Sequence, residues 1–202
     1  MEQRIIVLAS TNKHKIKEIT KMFAENPKTA NVKLISLSDI GFFDDIDETG
    51  KTFFDNALIK ASVVHEFLAK NNLSYEVLSD DSGLCIDALD GAPGVFSARY
   101  AGEHGNDEKN RNKVLSNLQG KTNRDAQFET VVVLMAPDGK YISAKGETKG
   151  KILTETHGSL EFCYDPLFYS LDLQKCFGEC SEEEKNSVSH RGRSIKKLIE
   201  QM

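Results

Sequence analysis

Asp80 and Asp81, followed by Ser82 and Gly83, put adjacent carboxylates beside a hydroxyl in LSDDSG. Hard cations take oxygen donors, and magnesium needs only one or two carboxylates when waters and substrate phosphates complete its octahedron. Glu48, just ahead of a helix that starts near Thr52, offers a third acid, which leaves one carboxylate over for proton transfer. The same tetrapeptide also fits a plain polar turn. On a helical wheel Lys60 falls inside the arc of Phe53, Ala57, Ala61, Val64 and Phe67 and so points toward the core side. A lysine there meets a carboxylate or an anionic ligand, or snorkels its ammonium outward.

Ser10, Thr11, Asn12, Lys13, His14 and Lys15 lie where a first strand turns into a first helix. Helix-terminal N–H groups and the helix dipole favour an anion there, phosphate above all. Capping of the helix by Ser10, Thr11 or Asn12 is the competing use. The segment lacks the two glycines and the Gly-Lys-Ser/Thr ending of a P-loop. Farther along, Lys185, His190 and Arg191 precede a C-terminal helix, with Ser189 as its cap, and could grip a phosphate or a base edge. They fit equally a solvated basic face after Glu182-Glu183-Glu184. Phe162, Cys163, Tyr164, Asp165 and Pro166 bring rings for stacking and a carboxylate able to accept from a purine ring N–H, although such rings are also ordinary core material.

The elements that must position these groups follow from periodicity. Ile5 to Ala9 is a short apolar run that reads as a buried strand, and Ile16, Ile19 and Phe23 then recur at helical spacing. A strand is expected over Val32 to Leu37. Thr52-x-x-Asp55 has the form of a capping box, so a long helix runs from there to about Lys70 and ends at Asn71-Asn72. Tyr75 to Leu78 reads as a strand that delivers Asp80, Asp81 and Ser82 at its C-terminal end, where open α/β sheets bind ligands. Side chains of neighbouring strand residues point to opposite faces, so both acids serve one site only if the strand ends or bends at Gly83. A glycine-rich stretch leads to a helix over Asn106 to Leu118. Phe128 to Met135 and Tyr141 to Thr148 flank Pro137-Asp138-Gly139 and predict a β-hairpin. Ile195, Leu198 and Ile199 close the chain with an amphipathic helix. Strands alternate with helices through the first half, which makes the class α/β, and one domain over residues 1–202 is expected.

The 202 residues are 39% hydrophobic, enough to bury a proper core. A net charge of −5 and the lack of a long Lys/Arg run argue against a nucleic-acid backbone or a membrane surface as partner. The apolar run near the start is too short for a signal core or a membrane span, so a cytoplasmic location is expected. Cys85, Cys163, Cys176 and Cys180 are then free thiols, and Cys176-x3-Cys180 has no second Cys/His pair to complete a zinc site.

Taken in order, STNKHK, DETGKTFFDNALIKA, LSDDSGLCIDALDGAPGVFSARYAG, FCYDP, EEK and SHRG resemble the inosine triphosphate pyrophosphatase family, also called Ham1-like, over about Ile5 to Leu198. The DDSG and SARYAG versions look most similar to bacterial dITP/XTP pyrophosphatases. The resemblance implies an elongated mixed sheet with helices in two lobes, a nucleotide cleft between them, a homodimer, and Mg²⁺ as the required ion. It implies a nucleoside triphosphate substrate (ITP, dITP or XTP), cut to monophosphate and pyrophosphate, with Ser10 through Lys15 and Lys60 around the triphosphate. Glu48 and Asp81 would hold metal, with Asp81 as proton acceptor and Asp80 beside it. Ser82 would contact substrate, while Phe162 to Asp165, Lys185, His190 and Arg191 would hold the base and nearby phosphate, and Arg99 is a weaker candidate. Family members commonly read Gly-Gly-Phe-Gly-Tyr/Trp-Asp where this chain has Leu160-Glu161-Phe162-Cys163-Tyr164-Asp165, so Cys163 replaces a glycine that lets backbone approach the base.

Overall fold

The computed structural model describes residues 3–103, 105–160 and 162–202. Strands β1 (Arg4–Leu8), β2 (Val32–Ser36), β3 (Glu76–Ile86), β4 (Asp125–Met135), β5 (Tyr141–Ile152), β6 (Phe168–Ser170) and β7 (Lys175–Cys176) form one sheet in the order β2-β1-β3-β4-β5-β6-β7. β1 runs parallel to both β2 and β3, whereas β6 is antiparallel to β5 and β7. The sheet is therefore mixed. Its helices are α1 (Lys13–Glu25), α2 (Phe53–Lys70), α3 (Asp107–Asn117), α4 (Glu182–Val188) and α5 (His190–Gln201). The α/β class expected from the sequence is the class observed.

By contact, the chain falls into two compact units. The first takes the chain to Asp81, with Val131–Lys145 and Ser194–Met202. Here the strand period of two sorts side chains to the two sheet faces. Ile6, Leu8, Leu78, Val132 and Leu134 pack with Ile19 and Phe23 of α1 and Ile195, Leu198 and Ile199 of α5. Their neighbours Val7, Ala9, Val77, Val133 and Met135 pack with Ala57, Ala61, Val64 and Leu68 of α2. Each fully buried Leu, Ile or Val side chain contributes roughly 1.5–3 kcal/mol, so these two layers fix the first unit. The second unit comprises Ser82–Thr130 and Gly146–Arg193, and centres on Leu84, Ile86, Val114, Leu118, Phe128, Ile152, Leu167, Phe168 and Phe177.

Local signals read from the sequence account for most boundaries. Thr52 and Asp55 form the capping box, each side chain bonded to the other's backbone N–H. Asn72 ends α2 in the left-handed region at φ 56°. Between β4 and β5, Gly139 takes φ 82° and donates to Ala136 O at 2.9 Å, which is the turn that Pro-Asp-Gly encodes. Two differences matter for the site. β3 does not stop at Leu78: it continues through Asp80, Asp81, Ser82 and Gly83 to Ile86, because Leu84 and Ile86 have a core of their own to fill. And the acidic run Glu182-Glu183-Glu184 is the first turn of α4, which a Ser181/Glu184 capping box opens. Among the described residues no helix is long and apolar enough to cross a membrane.

Candidate active site

In the first unit, β3 keeps its alternation through the acids. Val77 and Ser79 face α2, the Ser79 hydroxyl donating to Ala57 O at 2.6 Å, while Leu78 faces α1. Asp81 continues the α2 face and Asp80 the α1 face. The two carboxylates accordingly meet different lysines: Lys15 Nζ of α1 lies 3.0 Å from Asp80 Oδ2, and Lys60 Nζ of α2 lies 3.8 Å from Asp81 Oδ1. The strand does not end at the acids: it is continuous to Ile86, and a lysine stands on each side of it.

Lys60 does not snorkel. It is 8% exposed, and its ammonium also bonds Glu48 Oε1 at 2.8 Å. Burial works against its charge, yet Asp80, Asp81 and Glu48 together raise its pKa above the ordinary lysine value. For Asp81 the balance reverses: burial raises its carboxyl pKa more than Lys60, Lys15 and the Asn56 amide lower it. One buried cation is shared among several carboxylates, so the lysine is held charged while the Asp81 carboxyl holds its proton more readily than an ordinary aspartate.

Asn56, not singled out from the sequence, completes this cluster. It is fully buried one turn before Lys60, donates Nδ2 to Asp81 Oδ2 at 3.0 Å and accepts at Oδ1 from the Gly50 N–H at 2.8 Å. Its place four residues after the Thr52 cap and four before Lys60 was the available signal. Ahead of α1, Asn12 is the cap: its Oδ1 accepts from His14 N and Lys15 N at 3.0 and 3.1 Å, and Ser10 Oγ accepts from Asn12 N. Thr11, Lys13 and His14 are exposed around it, and the first turn of α1 carries no acid.

The second unit holds a second cluster. Lys185 of α4 is buried, 2.6 Å from Asp165 Oδ2, with its ammonium 3.5 Å above the Phe162 ring. Arg191 donates from Nη2 to Ser82 Oγ at 3.0 Å, and His190 stacks on Phe128 with centroids 4.7 Å apart. Ser189 Oγ accepts from Gly192 N, so it caps α5 as expected. The aromatic motif divides: Tyr164 is buried in the core with its hydroxyl donating to Ser97 O at 2.8 Å, which leaves Phe162 as the half-buried ring. Asn110 and Arg111 of α3, also unforeseen, brace this segment, Arg111 Nη1 donating to Cys163 O at 2.9 Å. Burial pushes the Cys163 thiol well above its ordinary pKa, so it is a neutral packing group there. Arg99 lies over the exposed Phe96 ring, 5.5 Å from its centroid. Glu161 lies outside the described residues.

The first cluster sets acids around a charged ammonium, and the second holds a cation against an acid beneath an aromatic ring. The sequence profile of the Ham1 family matches residues 6–201. The chain belongs to the Ham1 family. It is 44% identical over 195 residues to a dITP/XTP pyrophosphatase of Clostridium perfringens, covering 95% of this chain and 94% of that protein. A dITP/XTP pyrophosphatase of Geobacter sulfurreducens is 44% identical over 192 residues, with 94% and 92% covered. Among solved structures, the Staphylococcus aureus Ham1 protein superposes with a TM-score of 0.84 at 37% identity, over 98% of this chain and 97% of that one. The Mycobacterium abscessus nucleoside-triphosphatase / dITP/XTP pyrophosphatase gives 0.71 at 33% identity, over 91% and 92%.

Proposed function

We propose that this member of the Ham1 family is a pyrophosphohydrolase that converts ITP, dITP and XTP to the monophosphate and pyrophosphate, clearing deaminated purines from the nucleotide pool. The observation that carries the reading is near-full-length identity, at 44%, to proteins named dITP/XTP pyrophosphatase. The cluster around Lys60 supports it, because two acids on one buried ammonium suit metal-assisted hydrolysis.

In this reading Ser10 through Lys15 and Lys60 hold the triphosphate. Glu48 and Asp81 suit Mg²⁺: they are hard oxygen donors flanking one lysine, and among the described residues no group of three or more His, Cys, Asp or Glu makes a cage without substrate. Bound there, Mg²⁺ would neutralise charge on the phosphates. A water attacks the α-phosphorus and gives its proton to the Asp81 carboxylate, the α-β P–O bond breaks, and pyrophosphate leaves. Lys60 balances the charge that gathers on the phosphates. Lys185, fixed by Asp165, donates to the 6-keto oxygen of hypoxanthine or xanthine; the 6-amino group of adenine cannot accept that bond. Phe162 flanks the base. A homodimer working in the cytoplasm belongs to the same reading.

Purified protein incubated with Mg²⁺ and ITP, XTP, dITP, GTP or ATP, with products resolved by ion exchange, tests it. Monophosphate plus pyrophosphate, formed much faster from ITP, dITP and XTP, is expected; diphosphate plus phosphate, or no product, overturns it.

A further inference from the structure

Asn56 has no role in the reading above, yet its amide is committed at both ends. A carboxylate only accepts and a backbone N–H only donates, so the partners of this side chain fix its orientation: Nδ2 toward Asp81 Oδ2 and Oδ1 toward Gly50 N, at 3.0 and 2.8 Å. The capping box at Thr52 sets the first turn of α2, and Asn56 N bonds Thr52 O at 3.2 Å, so the side chain is carried on a fixed backbone. Gly50 comes so close that a Cβ there would lie 2.6 Å from both Asn56 Oδ1 and Asp55 Cβ. Two residues before Gly50 is Glu48, bonded to Lys60; the strand on the other side carries Asp81.

We infer that Asn56 is a positioning residue that sets Glu48 and Asp81 at their working separation, its one amide tying the loop of the first acid to the strand of the second. An amide is the group for this task, since it supplies a donor and an acceptor from one rigid plane. A hydroxyl cannot span both partners at the same time, and a carboxylate lacks the donor. The inference rests on the hydrolytic reading, in which Glu48 and Asp81 act on the same substrate.

Asn56→Ala removes both arms, while Asn56→Asp keeps an acceptor for Gly50 and turns the donor that faces Asp81 into a second acceptor. Two measurements separate the arms: amide hydrogen exchange at Gly50 in metal-free protein by NMR, and kcat and KM with ITP. For Asn56→Ala, Gly50 exchange is expected to quicken at least about tenfold while β1 and β3 stay protected. Its kcat is expected to fall by about 10²-fold with KM changed less than about threefold, as misplacement near 1 Å does. For Asn56→Asp, Gly50 stays protected and kcat still falls. Folded Asn56→Ala protein with unchanged Gly50 exchange, or with kcat within about threefold of wild type, overturns the inference. If Asn56→Ala does not fold, Asn56→Asp decides: wild-type kcat in that variant also overturns it. Failure of the wild-type protein to hydrolyse any triphosphate sinks the functional reading instead, and the Gly50 exchange still tests the tie.

Discussion

Lys60 Nζ sits 2.8 Å from Glu48 Oε1 on a helix face otherwise filled with Ala57, Ala61 and Val64. An ammonium in that position is held charged by the acids that surround it. Lys60→Met is expected to lower kcat/KM for ITP by about 10²–10⁴-fold, the usual range for losing a charge aimed at the transition state. It leaves the enclosed Asp81 without its nearest cation, so a urea melt should also show a loss on the order of 2 kcal/mol. A variant with wild-type kcat/KM would remove Lys60 from the chemistry.

Asp81→Asn separates activity from stability. Turnover should fall by about 10²–10⁴-fold through loss of the proton acceptor. Stability should rise: the folded-state pKa of Asp81 is raised, so the native state binds more protons than the unfolded chain between the ordinary value of 3.8 and the raised one. Stability therefore declines as pH climbs through that window, and above it the penalty is fully present. Melting curves in chelating buffer should show Asp81→Asn melting above wild type at pH 7 and converging with it near pH 3. A lower melting temperature at pH 7 would contradict this.

How much of this was legible beforehand depends on how local each cause is. Thr52 with Asp55, and Pro137-Asp138-Gly139, carry their geometry within a few residues, and the structure keeps both. The Ser181-x-x-Glu184 box of α4 is equally local, but its three consecutive acids read as a solvated charge run as readily as a first helical turn. The side of β3 taken by Asp80 followed from its period of two, but its partner Lys15 comes from a helix more than sixty residues earlier, a pairing that only the sheet order creates. The length of β3 is hidden for the same reason: Leu84 and Ile86 follow Gly83, and only the second core they enter makes them strand. Tyr164 in the core and Arg111 on the Cys163 carbonyl likewise depend on tertiary neighbours that spacing does not reveal.

Gly158 is bound to be sensitive although it bears no chemistry. It holds φ +73°, and a Cβ there would stand 2.0 Å from Gly178 O, the same carbonyl that accepts from Ser159 N. Gly158→Ala must relieve both the backbone strain and the clash, at a cost of about 2–5 kcal/mol. Since the segment leads into Phe162, KM for ITP should rise more than kcat falls. Thermal melts and steady-state kinetics check this; a melting temperature equal to wild type would refute the close approach.

Lys185 and Asp165 make the test of base selection, and their burial dictates how it must be built. The pair is 2.6 Å apart with side chains 7% and 8% exposed, so removing the lysine alone strands a carboxylate out of water. Lys185→Met is expected to destabilise by about 3–5 kcal/mol for that reason. Adding Asp165→Asn removes the stranded charge and should restore much of the loss, so the double variant can be assayed as a folded protein. Both variants lack the donor proposed to meet the 6-keto oxygen, and the ratio of kcat/KM for ITP over ATP should narrow by at least about tenfold in each. Restored stability with an unchanged ratio would confine Lys185 to packing beneath Phe162. A narrowed ratio in the stable double variant would assign it to reading the base.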